Sequence, residues 1–264
     1  MTSAFCLLTY GFSGCASHVA PRAVSTFSGP PALALVTWNL HGDAGELDRL
    51  AADLQRGVLT GGFPPHERVL LLQEASPATR VEGLHAFFAP ARTVDGVQRG
   101  NAILSSLPLI AARSIELPQG RQPRVAAVAE VRVGRSGLVL VSVHLENRAS
   151  WWRGGLPGDG IRARQMDALL AQLPQAPGVL GGDLNIWLGT RERAYRAAAA
   201  RFPDAVAPDP PATFRERLAL DHLFFRLPAG WRARSDVAKS RYGSDHLPVV
   251  GAIETAPASI DPNR

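Results

Sequence analysis

The sequence predicts a layered α+β domain built on largely antiparallel sheets. Short apolar runs recur along the chain, bounded by Gly, Pro, Ser and Asp, as strands require. Val125–Val133 and Leu138–His144 are joined by Gly134-Arg135-Ser136-Gly137, the signature of a hairpin. Three stretches with helical spacing are scattered among the strands rather than alternating strictly with them, which favours a layered mixed domain over a wound parallel sheet.

The elements follow in order. Ala34-Leu35-Val36-Thr37-Trp38-Asn39-Leu40 reads as a buried strand. Asp43 to Arg56 reads as a helix, with Leu47, Leu50, Ala51 and Leu54 on one face and Asp43 as its N-cap. Val69–Gln73 and Asn101–Leu104 are two further buried strands. In Val125–Val133, residues Val125, Ala127, Ala129, Val131 and Val133 share one side. A Gly- and Trp-rich loop runs from about Arg148 to Gly160, and Ile161–Leu173 is an amphipathic helix. Gly178–Gly182 is a short strand, and Thr190–Arg201 a helix with Thr190 as its cap. Leu218–Arg226 and Leu247–Ile253 are the last strands, and Pro208–Pro211 is a loop between elements.

With 264 residues, 46% hydrophobic and 19% charged, the chain can bury a sizeable core as one large domain. That balance excludes a disordered chain, a coiled coil and a disulfide-stapled miniprotein. The net charge is +5, carried by 27 arginines and the single lysine Lys239. A basic balance suits an anionic substrate without identifying one. The two cysteines, Cys6 and Cys15, lie in the first fifteen residues, so no thiolate zinc site is expected in the domain. Ala4–Phe12 is apolar and leads into Ser13-Gly14-Cys15-Ala16-Ser17, which resembles a lipoprotein cleavage box. No Lys or Arg precedes it, contrary to a secretory n-region. The expected division is therefore 1–31 as signal or lipoprotein leader and linker, 32–256 as the domain, and 257–264 as a tail. A genuine leader would make the protein periplasmic, secreted or membrane-anchored through Cys15; without one it would be cytoplasmic. A monomer is expected.

The informative feature is a recurrence of polar residues at strand ends. Asn39, Glu74, His144, Asp183 with Asn185, and Asp221 with His222 each follow an apolar run, and Ser244-Asp245-His246 precedes another. Strands of one sheet bring such ends to one rim, where a rigid scaffold can hold a site. Glu74, Asp183, Asp221 and Asp245 are hard oxygen donors, with Asn39 and Asn185 as neutral ones. This chemistry suits Mg²⁺ or Mn²⁺. His144 and His246 can move protons near neutral pH. Together they can attack a phosphoester with water. No HExxH pair, P-loop or GxSxG elbow is present.

Thr37-Trp38-Asn39-Leu40-His41-Gly42, Leu72-Gln73-Glu74, Arg99-Gly100-Asn101-Ala102-Ile103-Leu104-Ser105, Val143-His144-Leu145, Gly182-Asp183-Leu184-Asn185, Leu220-Asp221-His222-Leu223 and Ser244-Asp245-His246-Leu247-Pro248 occur in that order. They resemble the endonuclease/exonuclease/phosphatase superfamily over about residues 33–254. That superfamily includes pancreatic-type DNases, abasic-site endonucleases, bacterial neutral sphingomyelinases and inositol polyphosphate 5-phosphatases. The resemblance implies a four-layer α/β/β/α sandwich and a Mg²⁺-dependent hydrolase with its site where the two sheets meet at one rim. It implies Glu74 as principal metal ligand, Asn39 close to metal and phosphate, and Asp245 as a ligand or its neighbour. Asp183 would align or activate the water, Asn185 bind a phosphate oxygen, and His246 act on the phosphate with Asp221 behind it. His144 would assist the leaving group. Asn101 would support the rim beside the substrate. Arg124 and Arg148, which lie near predicted rim loops, are the candidates for phosphate contact. His41 departs from the Asp that some family nucleases carry there, which weakens a simple two-metal assignment. His222 is expected to be structural.

A phosphodiester of nucleic acid is the expected substrate, since arginine-rich loops suit a polyanion. A sphingomyelinase-like lipid phosphodiesterase is the alternative, favoured by Trp151-Trp152 and the leader, with a phosphomonoesterase beside it. A catalytically silent binding module is disfavoured by the intact acid, base and metal positions.

Overall fold

The structure, a computed structural model, describes residues 29–42, 44–147 and 159–255. The leader with Cys15, Asp43, the Arg148–Trp151–Trp152 stretch and the tail lie outside the described residues.

The chain forms β1 (Leu33–Asn39), α1 (Leu47–Gln55), β2 (Glu67–Ala75), β3 (His85–Val94), β4 (Val97–Ser105), β5 (Ile110–Glu116), β6 (Val125–Val133) and β7 (Ser136–His144). It continues with α2 (Asp159–Ala171), β8 (Gly178–Asp183), α3 (Arg193–Arg201), β9 (Asp221–Arg226), β10 (Arg232–Val237) and β11 (Val249–Glu254). The first sheet has the order β10-β11-β1-β2-β4-β3 and the second β5-β6-β7-β8-β9. Pairing is antiparallel except for β1 with β2 and β7 with β8.

Strand parity explains the layers. In β1, Leu33 and Leu35 join a core between the sheets, with Val69, Leu71 and Ile103 from the same sheet and Leu138, Leu140, Val179 and Phe225 from the other. The alternate residues Ala34, Val36 and Trp38 turn outward onto Leu50, Ala51 and Leu54 of α1. On the far side, Val139, Val141, Val143 and Leu180 pack on Met166 and Leu169 of α2 and Ala194, Tyr195 and Ala198 of α3. Each fully buried aliphatic side chain contributes roughly 1.5–3 kcal/mol, so three contiguous cores justify four layers. The α+β class and the α/β/β/α sandwich are both present.

Four details differ from the sequence expectation. The first helix starts at Leu47 with Glu46 at the N-cap position. Thr190 falls in a 3₁₀ turn, and α3 starts after Glu192, whose carboxylate is occupied by Arg162. The run from Leu218 becomes strand only at Asp221. The strands β3, β5 and β10 are not evident in the sequence because they are edge strands with largely exposed or half-exposed residues; β5 and β10 have no long apolar run, and the short Ala86–Ala89 run of β3 is cut by Pro90. No helix among the described residues is long and apolar enough to cross a membrane.

Candidate active site

The stripe that builds the inter-sheet core changes character at one end of the sandwich. Asn39 continues the Leu33, Leu35, Thr37 face of β1, His144 continues Leu138, Leu140, Ser142 of β7, and Asp221 precedes Leu223 and Phe225 of β9. His144, Asp183 and Asp221 are consecutive register partners across β7, β8 and β9. The same alternation that buries Val and Leu in the middle therefore aims three polar groups into the mouth. Below them Gln73 spans the sheets, donating to Ser142 Oγ at 3.1 Å and Thr37 Oγ1 at 3.2 Å, while Ser142 Oγ donates to Leu72 O at 2.9 Å. Gly181 permits the approach: a Cβ there would lie 2.7 Å from Leu71 Cδ1 and 2.9 Å from Thr37 Cβ.

Asp183 is the hub. Its Oδ2 accepts from Asn39 Nδ2 at 3.1 Å and stands 3.5 Å from His144 Nε2 and 3.9 Å from His246 Nε2. Its Oδ1 accepts the Asn185 backbone N–H at 2.9 Å. Asn185, held at φ +51, donates its side-chain amide to Leu145 O at 3.1 Å. Burial, reinforced by the charge of Asp221, pushes the Asp183 carboxyl up to about 7, against the pull of His246 and of the Asn39 and Asn185 hydrogen bonds.

His246 sits behind this hub, its Nδ1 2.7 Å from Asp221 Oδ2. Asp221 is fixed by its backbone N–H, which donates to Thr213 Oγ1 at 3.1 Å. Ser244 ties the loop to β1 by donating to Asn39 O at 2.7 Å and accepting the His246 N–H. Burial disfavours charge on His246, but Asp221, then Asp183 and Asp245, outweigh it and raise its pKa to about 9. His144 is the opposite case: burial, Arg124 and His246 hold it well below the usual range, so it is neutral. Asp245 lies 3.9 Å from His246 Nε2 and 3.1 Å from His41 Nδ1. His222 points away from this group, its Nε2–H donating to Ala219 O at 3.0 Å and its ring packing edge-on against Tyr195. It is a core residue.

Glu74 reaches the mouth by a different device. Leu72 pairs with Ala102 and Ala75 with Gly100, so β2 carries one extra residue. Glu74 lies in this bulge at φ +54, and Ala75 returns to the α1 side. Bulges re-aim side chains in this way beside functional sites. Glu74 lines a cavity with Arg92, Arg99, Asn101, Arg124 and His144. Asn101 donates to Val125 O at 2.7 Å, joining the sheets at that wall.

Every described candidate from the sequence thus falls in one connected region: Asn39, Asn185, Asp221, His144 and His246 around Asp183, Asp245 beside His246, and Asn101 and Arg124 beside Glu74. Arg148 lies outside the described residues. Sequence reasoning missed Thr213 and Arg92, which depend on a turn and on an unread strand, and gave Ser244 no role of its own within its motif. The donor set fits a divalent cation. Glu74, Asp183, Asp221 and Asp245 share one rim, and Asp221 Oδ1 is buried without a hydrogen bond. A buried carboxylate oxygen left unpaired among several acidic groups is the kind of place a cation fits. Asp183, Asp221 and His246 offer three ligand atoms within 4.8 Å of one another. His246, however, is protonated and bonded to Asp221, so its nitrogens are donors rather than ligands. That leaves the carboxylate and amide oxygens of the rim as candidate ligands.

Comparison with known proteins agrees with this fold. The human Nocturnin catalytic domain has a similar fold (TM-score 0.63, 20% identity, covering 86% of this chain and 95% of that one). A humanized D. rerio TDP2 follows (TM-score 0.58, 19% identity, 84% and 99% covered). So does sphingomyelinase C from Streptomyces griseocarneus (TM-score 0.52, 19% identity, 84% and 99% covered). No curated protein matches the chain in sequence. Residues 36–246 match the profile of the Endonuclease/Exonuclease/phosphatase family, and the chain belongs to that family.

Proposed function

We propose that the protein is a divalent-metal-dependent phosphoesterase that hydrolyses a phosphodiester, with nucleic acid as its substrate class. The observation that carries this reading is the convergence on Asp183 Oδ2 of Asn39 Nδ2, His144 Nε2 and His246 Nε2 within 3.9 Å. Family membership, the four-layer fold and a D. rerio TDP2 relative described as complexed with single-strand DNA product support it.

Asp183 is the general base: a carboxyl raised to about 7 can take a proton from water at neutral pH. The water attacks phosphorus in line, and the bond to the leaving oxygen breaks. Protonated His246, oriented by Asp221, donates to a phosphoryl oxygen and stabilises the developing charge. Asn185 binds a further oxygen of that phosphate, Arg124 and Arg148 contact other phosphate oxygens of the substrate, and neutral His144 hydrogen-bonds the leaving oxygen, which takes its proton from solvent. A Mg²⁺ or Mn²⁺ ion held by Glu74, Asn39 and Asp245 would supply Lewis acidity at the phosphoryl group. The functional unit is the 32–256 domain.

Hydrolysis of bis-p-nitrophenyl phosphate, measured with Mg²⁺, Mn²⁺ or EDTA, tests the reading. Activity should need the metal and fall by roughly 10²–10⁴ in Asp183→Asn. Metal-independent turnover, or an Asp183→Asn variant as fast as wild type, would end it. Plasmid DNA, RNA, sphingomyelin and phosphoinositides run in parallel distinguish the substrate classes.

A further inference from the structure

The cavity beside Glu74 carries more positive charge than one scissile phosphate requires. Arg92 and Arg99 are direct register partners across the β3–β4 hairpin. Pro90 pairs with Gly100 and Arg92 with Arg99, so Ala91 is an extra residue whose insertion sets two arginines face to face. Like charges directly opposite each other destabilise an antiparallel pair. Both side chains line the same cavity, and a third guanidinium, Arg124, joins them from the strand-entry loop of β6. Arg124 is only 7% exposed, and its Nε makes no hydrogen bond. Burial weighs against its charge, Glu146, Asp183 and Glu74 offset this in part, and Arg92 repels it. Arg99 also reaches the turn after β1, where a Cβ on Gly42 would lie 3.6 Å from its guanidinium carbon. Among the described residues, Glu74 is the only carboxylate on the cavity wall.

We propose that Arg92, Arg99 and Arg124 form a second anion subsite, which takes a phosphate group of the substrate adjacent to the one that is cleaved. A planar guanidinium fork matches phosphate oxygens, and a buried one with an open N–H has most to gain from them. A cholinephosphate ester would bring a quaternary cation against three arginines. The subsite therefore selects polyanionic phosphoesters, either a strand with a neighbouring diester or a nucleotide with a terminal monoester. This deepens the phosphoesterase reading and rests on it.

Binding and turnover test it separately on the full chain. Calorimetry compares thymidine 3′,5′-bisphosphate with thymidine 5′-monophosphate, for wild type and for the double variant Arg92→Gln/Arg99→Gln. Wild type should bind the bisphosphate at least roughly tenfold more tightly, as expected for charge-assisted hydrogen bonds, and the double variant should lose that preference. Its melting temperature is measured alongside, so that a lost preference in a folded variant is told apart from unfolding. Kinetics then compare a thymidine trinucleotide, a dinucleotide with a terminal phosphate, and bis-p-nitrophenyl phosphate; the substrate that gains most identifies the source of the second phosphate. Equal binding of the two nucleotides, a preference that survives the double substitution, or faster cleavage of sphingomyelin than of either oligonucleotide would overturn the subsite. Arginine-dependent binding without hydrolysis of any substrate would uphold the subsite and overturn the phosphoesterase reading. Hydrolysis without any gain from a second phosphate would do the reverse.

Discussion

His246 and Asp221 share a 2.7 Å contact with their side chains 7% and 0% exposed. Burial alone would discharge this imidazole; the carboxylate behind it keeps it charged. Asp221→Asn preserves the shape and removes the charge. It should lower kcat by roughly 10²–10⁴, the span of an acid–base contribution, and move the His246 ring titration to lower pH in NMR spectra. An unchanged titration would show that Asp221 does not set the charge of His246.

Arg162 and Glu192 make a second buried pair, through bonds of 2.8 and 2.9 Å at 0% exposure, and join α2 to α3. Glu192 also accepts the Leu188 N–H at 3.0 Å. Removing one partner strands a charge, so Arg162→Met should cost about 3–5 kcal/mol in urea unfolding. Adding Glu192→Leu should recover much of that loss. A single substitution no worse than the double would contradict the pairing.

Gly181 faces Leu71 and Thr37 of the opposite sheet beneath Asp183. An alanine there meets Leu71, Leu223 and Thr37 at 2.7–2.9 Å. Overpacking should cost about 1–3 kcal/mol and shift Asp183 away from Asn39, so Gly181→Ala should lose both melting temperature and kcat. Retention of both would show that the gap can relax.

Acid stability should carry the mark of His222. Burial lowers its pKa to about 4. Between pH 6.5 and 4 the unfolded chain takes up a proton that the folded chain refuses. Stability therefore falls as pH drops through that window, by at most about 3 kcal/mol from this residue. His246 acts with the opposite sign, since its raised pKa contributes stability below 6.5 that is lost as pH rises toward 9. His222→Phe should flatten the acid limb in urea titrations at pH 4.5 and 6.5, and an unchanged limb would assign the acid sensitivity elsewhere.

Glu74 combines an unfavourable backbone with a needed carboxylate. A non-glycine residue at φ +54 is disfavoured, so Glu74→Gly should melt no lower than wild type while losing metal-dependent turnover. A variant that loses stability as well would mean that the side chain holds the bulge.

The site was legible because its residues obey strand parity. Asn39, His144, Asp183 and Asp221 end or begin runs whose alternate members are Val, Leu and Phe, so a change from apolar to polar on one face is visible in the chain itself. What was hidden depends on the partner strand. The β2 bulge appears only when Leu72 and Ala75 are paired against Ala102 and Gly100. Arg92 was missed because it lies in the exposed end of β3 beyond Pro90, outside the short Ala86–Ala89 apolar run, and its facing Arg99 is a fact of register. Glu192 looked like an interior helix residue because its true role needs Arg162, thirty positions earlier, to be placed against it.

One consequence reaches beyond the site. Glu74 is the residue by which β2 outruns β4, and it carries the carboxylate assigned to the cation. Filling the site would brace that surplus link, and emptying it would let the ladder breathe. Deuterium uptake at the amides around Leu72–Ala75 and Gly100–Ala102 would then serve as a gauge of loading, legible in the backbone without any turnover at all.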